Sequence, residues 1–270
     1  MRRIVLSNPL VSVIIPTFNN SRTIERCLKS VLRQSYTNSE LIVVDNNSSD
    51  GTRKIAQECG ATVLTVMCGR SEARKLGAKS AQGVYIFHID SDMELDYLTI
   101  EDCINKCEQD SYDALIIDEV NIAENFLGRC FDYEKRIYKY SKKGYARFMK
   151  LALYRKLGGH NKDLVHGEDS DLHIRLENGK ARIGFSSRMI KHLIGKPTLN
   201  EILTKHILYY KTGADFIQIY PEMGKLSNKI SQFPLKSYGK AFLDDPMGSV
   251  GYFFIVIFRN LYVKYKVWGQ

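Results

Sequence analysis

The first ninety residues alternate between short β-branched runs and segments whose apolar residues recur at helical spacing, which restricts the chain to few folds. The run at 11–15 is followed by Pro16, and similar runs occupy 41–44, 63–66 and 84–89. This alternation is typical of a sheet in which helices connect parallel strands. We therefore expect an α/β fold with a Rossmann-like, mostly parallel sheet flanked by helices.

Polar loops follow three of these predicted strands. They comprise residues 17–20, 45–50 and 90–92. In open α/β sheets, ligands bind where the loops at the carboxyl ends of the strands converge. We therefore expect these three loops to form one ligand site.

The third loop carries the triplet Asp90-Ser91-Asp92, which places two carboxylates on one turn. Mg²⁺ and Mn²⁺ prefer such oxygen ligands, and substrate phosphates often complete the site. A metal ion there would stabilise the charge on a departing diphosphate. Because paired aspartates also occur in loops that are simply solvated, the triplet is informative mainly through its position after a buried strand.

Four segments resemble glycosyltransferase family 2 in their order and spacing. They are VSVIIPTFNN at 11–20, ELIVVD at 40–45, the stretch at 69–74 with its Gly, Ser, Ala and Arg, and Ala81-x-Gly83. The resemblance covers roughly residues 10 to 195. It implies a GT-A fold and a metal-dependent, inverting transferase. Such an enzyme would move a hexose from a nucleotide-diphosphate sugar, with Mn²⁺ or Mg²⁺ as its cofactor.

By that resemblance, the donor would be bound by residues of these segments. Pro16, Thr17 and Asn19 would shape the nucleotide pocket, Asp45 would bind the base, and Asp90 would contact ribose and metal. A carboxylate suits the role of Asp45 because it accepts a hydrogen bond from a ring N–H. An aspartate at this position also fits a structural turn, which leaves both interpretations open.

The resemblance also implies further metal and phosphate contacts. Asp92 and His192 are expected to hold the metal with Asp90, since similar enzymes often carry a histidine that completes the metal shell. A lone histidine is also commonly a structural residue. Arg70 and Arg74 could each reach a phosphate or the base, because a guanidinium suits both, or they could lie on a solvated helix face.

A second motif supplies a candidate for the general base. Gly158-Gly159 is followed by Glu168-Asp169, and together they resemble the glycine pair and acidic motif of the same family. An inverting transfer needs a base that removes the proton of the acceptor. We predict that Asp169 is this base, with Glu168 as the alternative, because free N–H groups at a helix start favour the ionised form. An acidic helix cap would have the same sequence.

The charge pattern indicates an anionic acceptor. The net charge is +9, and residues 135–156 include nine Lys or Arg but no Asp or Glu. A run of one sign is normally a solvated face, but this run lies between the metal motif and the predicted base. We expect an acceptor such as a polyprenyl-linked phosphate or pyrophosphate. Tyrosines beside lysines can also stack on nucleic-acid bases, but no recognised nucleic-acid motif is present, so no such partner is expected.

We expect a GT-A catalytic domain at 1–197 and a helical C-terminal extension at 198–270. Within the first, about 1–110 would bind the nucleotide sugar and about 111–197 the acceptor. The apolar run at 250–258 is shorter than the about 20 residues that a spanning helix needs. With its aromatic and basic neighbours it suits a helix on a membrane surface, or one docked on the core.

Cysteine usage and the N-terminal sequence predict a cytoplasmic location. The six cysteines show no zinc-like spacing, and the N-terminus has no leader-like apolar stretch. Seven Lys or Arg against two Asp from residue 225 onward would attract an anionic membrane. We therefore expect a peripheral position at the inner face of the cell membrane.

Other functions are compatible with similar folds. A sugar-phosphate nucleotidyltransferase would need a phosphate loop rich in Gly and Lys after the first strand, and residues 16–20 lack one. A dehydrogenase would need G-x-G-x-x-G at the first helix, which is absent from the sequence. A non-catalytic module that binds nucleotide sugars would keep the fold without turnover, and the intact acidic motifs argue against it.

Overall fold

The computed structural model describes residues 8–221 and 234–268. Its strands are β1 (Val11–Thr17), β2 (Ser39–Asp45), β3 (Thr62–Thr65), β4 (Tyr85–His88), β5 (Met93–Leu95), β6 (Ala114–Ala123), β7 (Ala146–Lys150) and β8 (Ile183–Gly195). Its helices are α1 (Ile24–Leu32), α2 (Thr52–Glu58), α3 (Arg70–Ser80), α4 (Thr99–Gln109), α5 (Phe126–Ser141), α6 (Leu151–Lys156), α7 (Glu168–Asn178), α8 (Leu199–Ile219), α9 (Leu235–Asp244) and α10 (Pro246–Trp268). Strands and helices alternate from β1 to β4, as the sequence pattern predicts.

The strands form a sheet in the order β3-β2-β1-β4-β7-β6-β8-β5. β1 pairs in parallel with β2 and β4, and β2 pairs in parallel with β3. β7, by contrast, pairs antiparallel with β4 and β6. The predicted α/β fold is confirmed. Its parallel part ends at β4, because the regular alternation of strand and helix that parallel pairing requires ends there.

The chain forms two compact units. Among the described residues, the first comprises 8–118, 145–163 and 168–191, and the second comprises 119–144, 164–167, 192–221 and 234–268. β6 and β8 each begin in the first unit and end in the second. α5 belongs with the C-terminal helices because it contacts α9 and α10. The division of function predicted at residues 110 and 197 stays a prediction.

The core of the first unit covers both faces of the sheet. Alternate residues of β1 serve opposite faces: Val13 and Ile15 share one core cluster with residues of α1 and α4, while Ile14 shares another with residues of α3 and α7. All seven residues of β1 are buried, as expected of a central parallel strand. The first polar loop follows the carboxyl end of this buried strand.

The described part of the C-terminal region is helical, as predicted. α8 begins with a capping box in which Thr198 and Glu201 each bond to the other's backbone N–H. α9 and α10 follow, and the residue between them is Asp245. Lys225 and Lys229, which the charge count of the tail included, lie outside the described residues.

No single helix in 8–221 or 234–268 is long and apolar enough to cross a bilayer. α9 and the part of α10 that ends at Tyr262 are long and apolar enough only when taken together, and a bend of 118° separates them.

The cysteines are thiols, as the sequence predicts. All six are free, and Cys103 and Cys107 on α4 are buried in the apolar core. Burial raises the pKa of Cys107 to about 12, so this side chain is protonated at neutral pH.

Candidate active site

The three polar loops meet at the carboxyl ends of β1, β2 and β4. Asn20 joins the first loop to the third, because its Nδ2 donates to Ser91 Oγ at 2.7 Å. Its backbone N–H donates to Thr52 Oγ1 at the start of α2, at 2.8 Å. The hydroxyl of Thr23 donates to the carbonyl of Ser91 at 3.1 Å. The loops therefore converge, as their positions on a parallel sheet predict.

Asn19 determines the shape of the first loop. Its φ of 46° is left-handed, a conformation that asparagine tolerates better than most residues. Its N–H donates to Ser48 Oγ at 2.9 Å, and its Oδ1 accepts from the N–H of Ser49 at 2.8 Å. Nearby, Pro16 is buried in β1, and the buried Thr17 Oγ1 has no hydrogen-bond partner among the described residues. Nucleotide contacts of these residues stay predictions.

Asp45 is fully buried at the end of β2. Its Oδ2 accepts from the N–H of Ser48 at 3.1 Å, and its Oδ1 accepts from the hydroxyl of the same residue. Arg53 Nε lies 3.4 Å from Oδ2. This geometry is the structural turn that an aspartate at this position also fits. A hydrogen bond from Asp45 to a nucleobase stays a prediction, and it would require some rearrangement of this turn.

The fully buried guanidinium of Arg74, on α3, joins the two acidic motifs of the sequence. Its Nη2 donates to Asp90 Oδ1 at 2.6 Å, and its Nη1 donates to Asp169 Oδ1 at 2.7 Å. Nη1 also lies 3.3 Å from Glu168 Oε1. The donors of an arginine form a planar fork that can bridge carboxylates in this way. Arg74 therefore does not lie on a solvated helix face, and it links the metal turn to the predicted base.

Glu168 and Asp169 begin α7 and differ in their access to solvent. The Glu168 side chain is 3% exposed and lies 2.5 Å from Nη2 of Arg70, whereas the Asp169 side chain is 30% exposed. Burial raises the pKa of Glu168. Burial acts in the same direction on Asp169, but Arg74 and His160 outweigh it and lower the pKa of Asp169 well below its usual range. Asp169 is thus both ionised and accessible, which favours it over Glu168 as the base.

Asp90 is ionised for a similar reason. Burial raises its pKa, but Arg74, Arg147 and Arg70 together hold the pKa well below the usual range. Nη2 of Arg147, on β7, lies 3.6 Å from Asp90 Oδ2. Three guanidinium groups therefore face three carboxylates in this cluster.

His160, which belongs to no predicted site, contacts the predicted base. Its Nε2 lies 3.2 Å from Asp169 Oδ1, and its Nδ1 lies 2.9 Å from Tyr154 Oη. Burial lowers the pKa of His160, so the ring is neutral and carries one proton. Because an ionised carboxylate can only accept, we assign that proton to Nε2, and Nδ1 then accepts from the hydroxyl of Tyr154. His160 thereby orients Asp169.

The glycine pair explains how His160 reaches this position. Gly158 and Gly159 have φ values of 82° and 73°, which favour glycine. A Cβ on Gly159 would also lie only 3.0 Å from the ring of Tyr154. The pair was visible in the sequence, but the contact of His160 with α7 was not. Arg147 was likewise hidden inside the basic run.

The turn that carries Asp90 and Asp92 has the donor chemistry for a hard divalent cation. Two carboxylates, with phosphates and water completing the shell, are a common arrangement for Mg²⁺. Within the described residues, no group of three or more His, Cys, Asp or Glu side chains is arranged to hold a metal. His192 belongs to the second unit, and its metal role stays a prediction.

Comparisons with known proteins agree with this architecture. The uncharacterized glycosyltransferase EpsJ of Bacillus subtilis is 32% identical over 113 residues, which cover 40% of this chain and 33% of EpsJ. The UDP-Glc:alpha-D-GlcNAc-diphosphoundecaprenol beta-1,3-glucosyltransferase WfgD of Escherichia coli is 39% identical over 88 residues, covering 31% of this chain and 35% of WfgD. These matches span about a third of the length of each relative.

Solved structures and a family model extend the comparison. The mannosyltransferase PcManGT from Pyrobaculum calidifontis, in complex with GDP-Man and Mn²⁺, has a TM-score of 0.62 at 18% identity, covering 93% of this chain and 75% of that one. This likeness concerns the fold, and it confirms the predicted GT-A architecture. The model of Glycosyl transferase family 2 matches residues 12–157, more than half of the sequence. The chain therefore belongs to glycosyl transferase family 2.

Proposed function

We propose that this chain is a metal-dependent, inverting glycosyltransferase that moves a hexose from a nucleotide-diphosphate sugar to an acceptor hydroxyl or phosphate. The observation that supports it most is the bridge by Arg74, which joins Asp90 to Asp169 through hydrogen bonds of 2.6 and 2.7 Å. A transfer site needs groups for the departing diphosphate and for the attacking oxygen in one place. The bridge brings both kinds of group into one cluster.

The proposed reaction is a single displacement. The acceptor oxygen forms a bond to the anomeric carbon, while the bond from that carbon to the diphosphate oxygen breaks on the opposite face. Asp169 receives the proton of an attacking hydroxyl. Its Oδ1 already accepts from Arg74 and His160, so Oδ2 is the oxygen that we assign to the proton.

The low pKa of Asp169 determines when the proton moves. A carboxylate held in its ionised form by Arg74 is always ready to accept, but it is a weak base towards a free hydroxyl. As the new C–O bond forms, the acceptor oxygen loses electron density and its proton becomes acidic. The transfer to Asp169 would therefore occur late, together with the formation of that bond.

Asp92 and Asp90 are the residues that would hold Mn²⁺ or Mg²⁺. The cation, when bound, would neutralise charge that develops on the departing diphosphate. The carboxylates of the turn support this assignment, and PcManGT, which shares the fold, is described in complex with GDP-Man and Mn²⁺. Arg70, whose side chain is partly exposed, is the cation of the cluster best able to meet a phosphate.

For the acceptor we propose an anionic group such as a polyprenyl-linked phosphate, at the inner face of the cell membrane. The name of WfgD describes a diphosphoundecaprenol-linked acceptor. The basic run itself is not one solvated face, since four of its cations contact carboxylates: Lys135, Arg136, Arg147 and Lys150. Of these, Arg147 lies beside Asp90 and is the one that we expect to meet the charge of an acceptor.

Donor screening tests the proposal. Nucleotide-diphosphate hexoses should raise the melting temperature of the wild-type protein, and Mn²⁺ should increase the shift, because a ligand of the native state stabilises it. Asp92→Asn should lose the part of the melting-temperature shift that depends on Mn²⁺. Asp96→Asn, the same change at an exposed position just beyond β5, should keep it. An equal response of wild type and Asp92→Asn would contradict the metal assignment.

The product distinguishes the proposed activity from its alternatives. Proton NMR of the product should show an inverted anomeric configuration. A retained configuration would exclude the single displacement. Donor binding without transfer to any acceptor would indicate a binding module, and formation of a nucleotide sugar from a nucleoside triphosphate would indicate a nucleotidyltransferase.

A further inference from the structure

α10 exposes an apolar face along most of its length. Between Pro246 and Leu261, the exposed residues are apolar except for Asn260. The large ones recur on one side of the helix: Met247, Val250, Phe253, Phe254, Ile257, Phe258 and Leu261. At 1.5 Å per residue, this face is about 20 Å long. Single exposed apolar residues are normal, but a continuous apolar face marks an interaction surface.

The opposite face of α10 packs inside the second unit. The ring of Tyr252 lies 6.0 Å from that of Phe131 and 5.3 Å from that of Tyr133, both on α5. Arg259 Nη1 lies 3.1 Å from His206 Nε2 on α8. The exposed face therefore belongs to a helix that is already docked, so docking of α10 on α5 and α8 does not cover it.

The bend before α10 is held by hydrogen bonds to Asp245. This carboxylate accepts from Arg129 Nη2 at 2.6 Å and from Arg129 Nε at 2.7 Å. It also accepts from the N–H of Gly248 at 3.0 Å. A paired and almost fully buried carboxylate at the bend fixes the direction in which α10 leaves α9.

Basic residues accompany the apolar face. On α9, the exposed residues include Leu235 and Leu243 together with Lys236 and Lys240, and one acidic residue, Asp244. Residues 246–268 contain three Lys or Arg and no Asp or Glu. Apolar and aromatic side chains next to basic ones suit the headgroup region of an anionic bilayer, where lysines meet lipid phosphates.

We infer that the outward faces of α9 and α10 form a docking surface for an anionic lipid bilayer. α10 lies along the membrane with Phe254 and Leu261 among the acyl chains, and Lys236 and Lys240 reach the phosphates. Because its other face is packed on protein, α10 stays in one leaflet. This surface goes beyond the proposed transfer reaction and does not depend on it.

A second copy of the chain fits this surface less well. In a symmetric dimer the surface would meet itself, and α10 would offer Lys236 and Lys240 no carboxylate, since residues 246–268 contain no Asp or Glu. Stable interfaces also surround their apolar centre with a polar rim that forms hydrogen bonds. On α10, only Asn260 among the exposed positions from 246 to 261 offers such a group. A bilayer requires no such pairing.

Vesicle sedimentation with the full chain tests the inference. The vesicles contain phosphatidylcholine and phosphatidylglycerol in equal amounts and no glycolipid. Wild type should bind them, and Phe254→Asp/Leu261→Asp should bind about tenfold more weakly or worse, because its new charges would enter the apolar region. Leu32→Asp/Tyr97→Asp in the first unit is the matched control, because it adds the same two charges at apolar positions of similar exposure: Leu32 is 56% and Tyr97 62% exposed, against 65% for Leu261 and 71% for Phe254. The control should bind like wild type.

Several results would overturn the inference. These are failure of wild type to bind the anionic vesicles at low salt, equal binding by the double variant, and equal loss by the control. A dimer that dissociates in the double variant, without any vesicle binding, would identify a second copy as the occupant. High salt should weaken wild-type binding without abolishing it, since salt screens the lysines but not the apolar contacts.

A second variant tests the inference if the double variant does not fold. If the double variant unfolds, Phe254→Trp in a Trp268→Phe background replaces it, so that position 254 carries the only tryptophan of the sequence. Its fluorescence should shift to shorter wavelength when vesicles are added. An unchanged spectrum would contradict burial of this side chain in lipid. Donor binding, measured on the same proteins, should be unaffected, so the transfer reaction and the membrane surface can fail independently.

Discussion

The two units of this chain depart in opposite ways from the usual separation of apolar interior and polar surface. In the first unit, Arg74 is fully buried and bonded to carboxylates. In the second, α10 exposes Phe254 and its apolar neighbours. Buried charges persist only when they are paired, and an exposed apolar face is stable only when something covers it. The buried charge of the first unit is therefore paired inside the protein, whereas the exposed apolar face of the second unit is the one for which we infer an outside partner.

The largest expected effect concerns the base in the charged unit. Asp169→Asn removes the proton acceptor but keeps the size of the side chain, so turnover should fall by about 10²–10⁴. Donor affinity should change little. Asp163→Asn makes the same substitution at an exposed position before α7 and should keep full activity. Loss of donor binding with unchanged turnover at saturation would show that Asp169 is not the base.

Removal of the buried cation should destabilise the first unit. Arg74→Met leaves its carboxylate partners without their main counter-charge, which typically costs about 3–5 kcal/mol of unfolding free energy. Arg70→Met is the control, because Arg70 is partly exposed and should lose much less. Urea unfolding measures both, and equal losses in the two variants would contradict the central place of Arg74.

The pH dependence of the Arg74→Met variant has a definite sign. In wild type, Asp90 and Asp169 have lower pKa values in the folded protein than in the unfolded chain. This difference stabilises the fold at pH values above the pKa that these carboxylates have when unfolded. That stabilisation is lost as pH falls through the lower folded values. Without Arg74 these pKa values rise, so the buried carboxylates of the variant are protonated at a higher pH and no longer carry an unpaired charge. The difference in unfolding free energy between wild type and variant should therefore shrink as pH falls from neutral to about pH 4. A deficit that is constant with pH would contradict the charge argument.

The second unit contains a smaller counterpart of this effect. The hydrogen bonds from Arg129 lower the pKa of Asp245 to about 2. At pH values above the pKa of Asp245 in the unfolded chain, this shift should add about 2 kcal/mol to the free energy of unfolding. That contribution is lost as the pH falls towards about 2. Asp245→Asn should lack that part of the acid transition, whereas the exposed Asp244→Asn should retain it. Identical acid transitions in both variants would exclude Asp245 as its source.

The smallest expected effect concerns the orientation of the base. His160→Phe removes the Nε2–H donor, and one hydrogen bond is worth about 1 kcal/mol, so kcat should fall by about tenfold or less with KM little changed. His160→Gln, which restores an N–H donor near Nε2, should recover part of the loss. His173→Phe, on α7, is the matched control. If His160→Gln and His160→Phe have equal kcat values, His160 serves packing rather than orientation.

The parallel part of the fold was predictable because each strand there is a continuous apolar run and each helix has a clear apolar face. β7 was not, since its sequence Ala-Arg-Phe-Met-Lys lies in a basic run that conceals a buried strand. The antiparallel half of the sheet therefore became clear only from the structure. Sequence periodicity identifies elements that bury one kind of residue, and it is weaker where charges pair internally.

The site was predictable in its acidic motifs but not in what connects them. The positions of Asp90 and Asp169 followed from motif order, whereas the hydrogen bonds from Arg74 to Glu168 and Asp169 join residues more than 90 positions apart, which no local pattern encodes. His160 reaches Asp169 on α7 through a turn at two glycines, and its other partner, Tyr154, lies on α6. Asp45 differs from His160, because it was visible in a sequence motif but its carboxylate is bonded to Ser48 in a structural turn.

Azide rescue of Asp169→Asn tests most directly whether Asp169 removes the proton of the acceptor. Azide attacks the anomeric carbon without a proton to lose, so it needs no base. With donor and azide, Asp169→Asn should regain turnover and release a glycosyl azide of inverted configuration, whereas Glu168→Gln should gain nothing. Failure of azide to rescue Asp169→Asn, or rescue of Glu168→Gln instead, would contradict the assignment of Asp169 as the base.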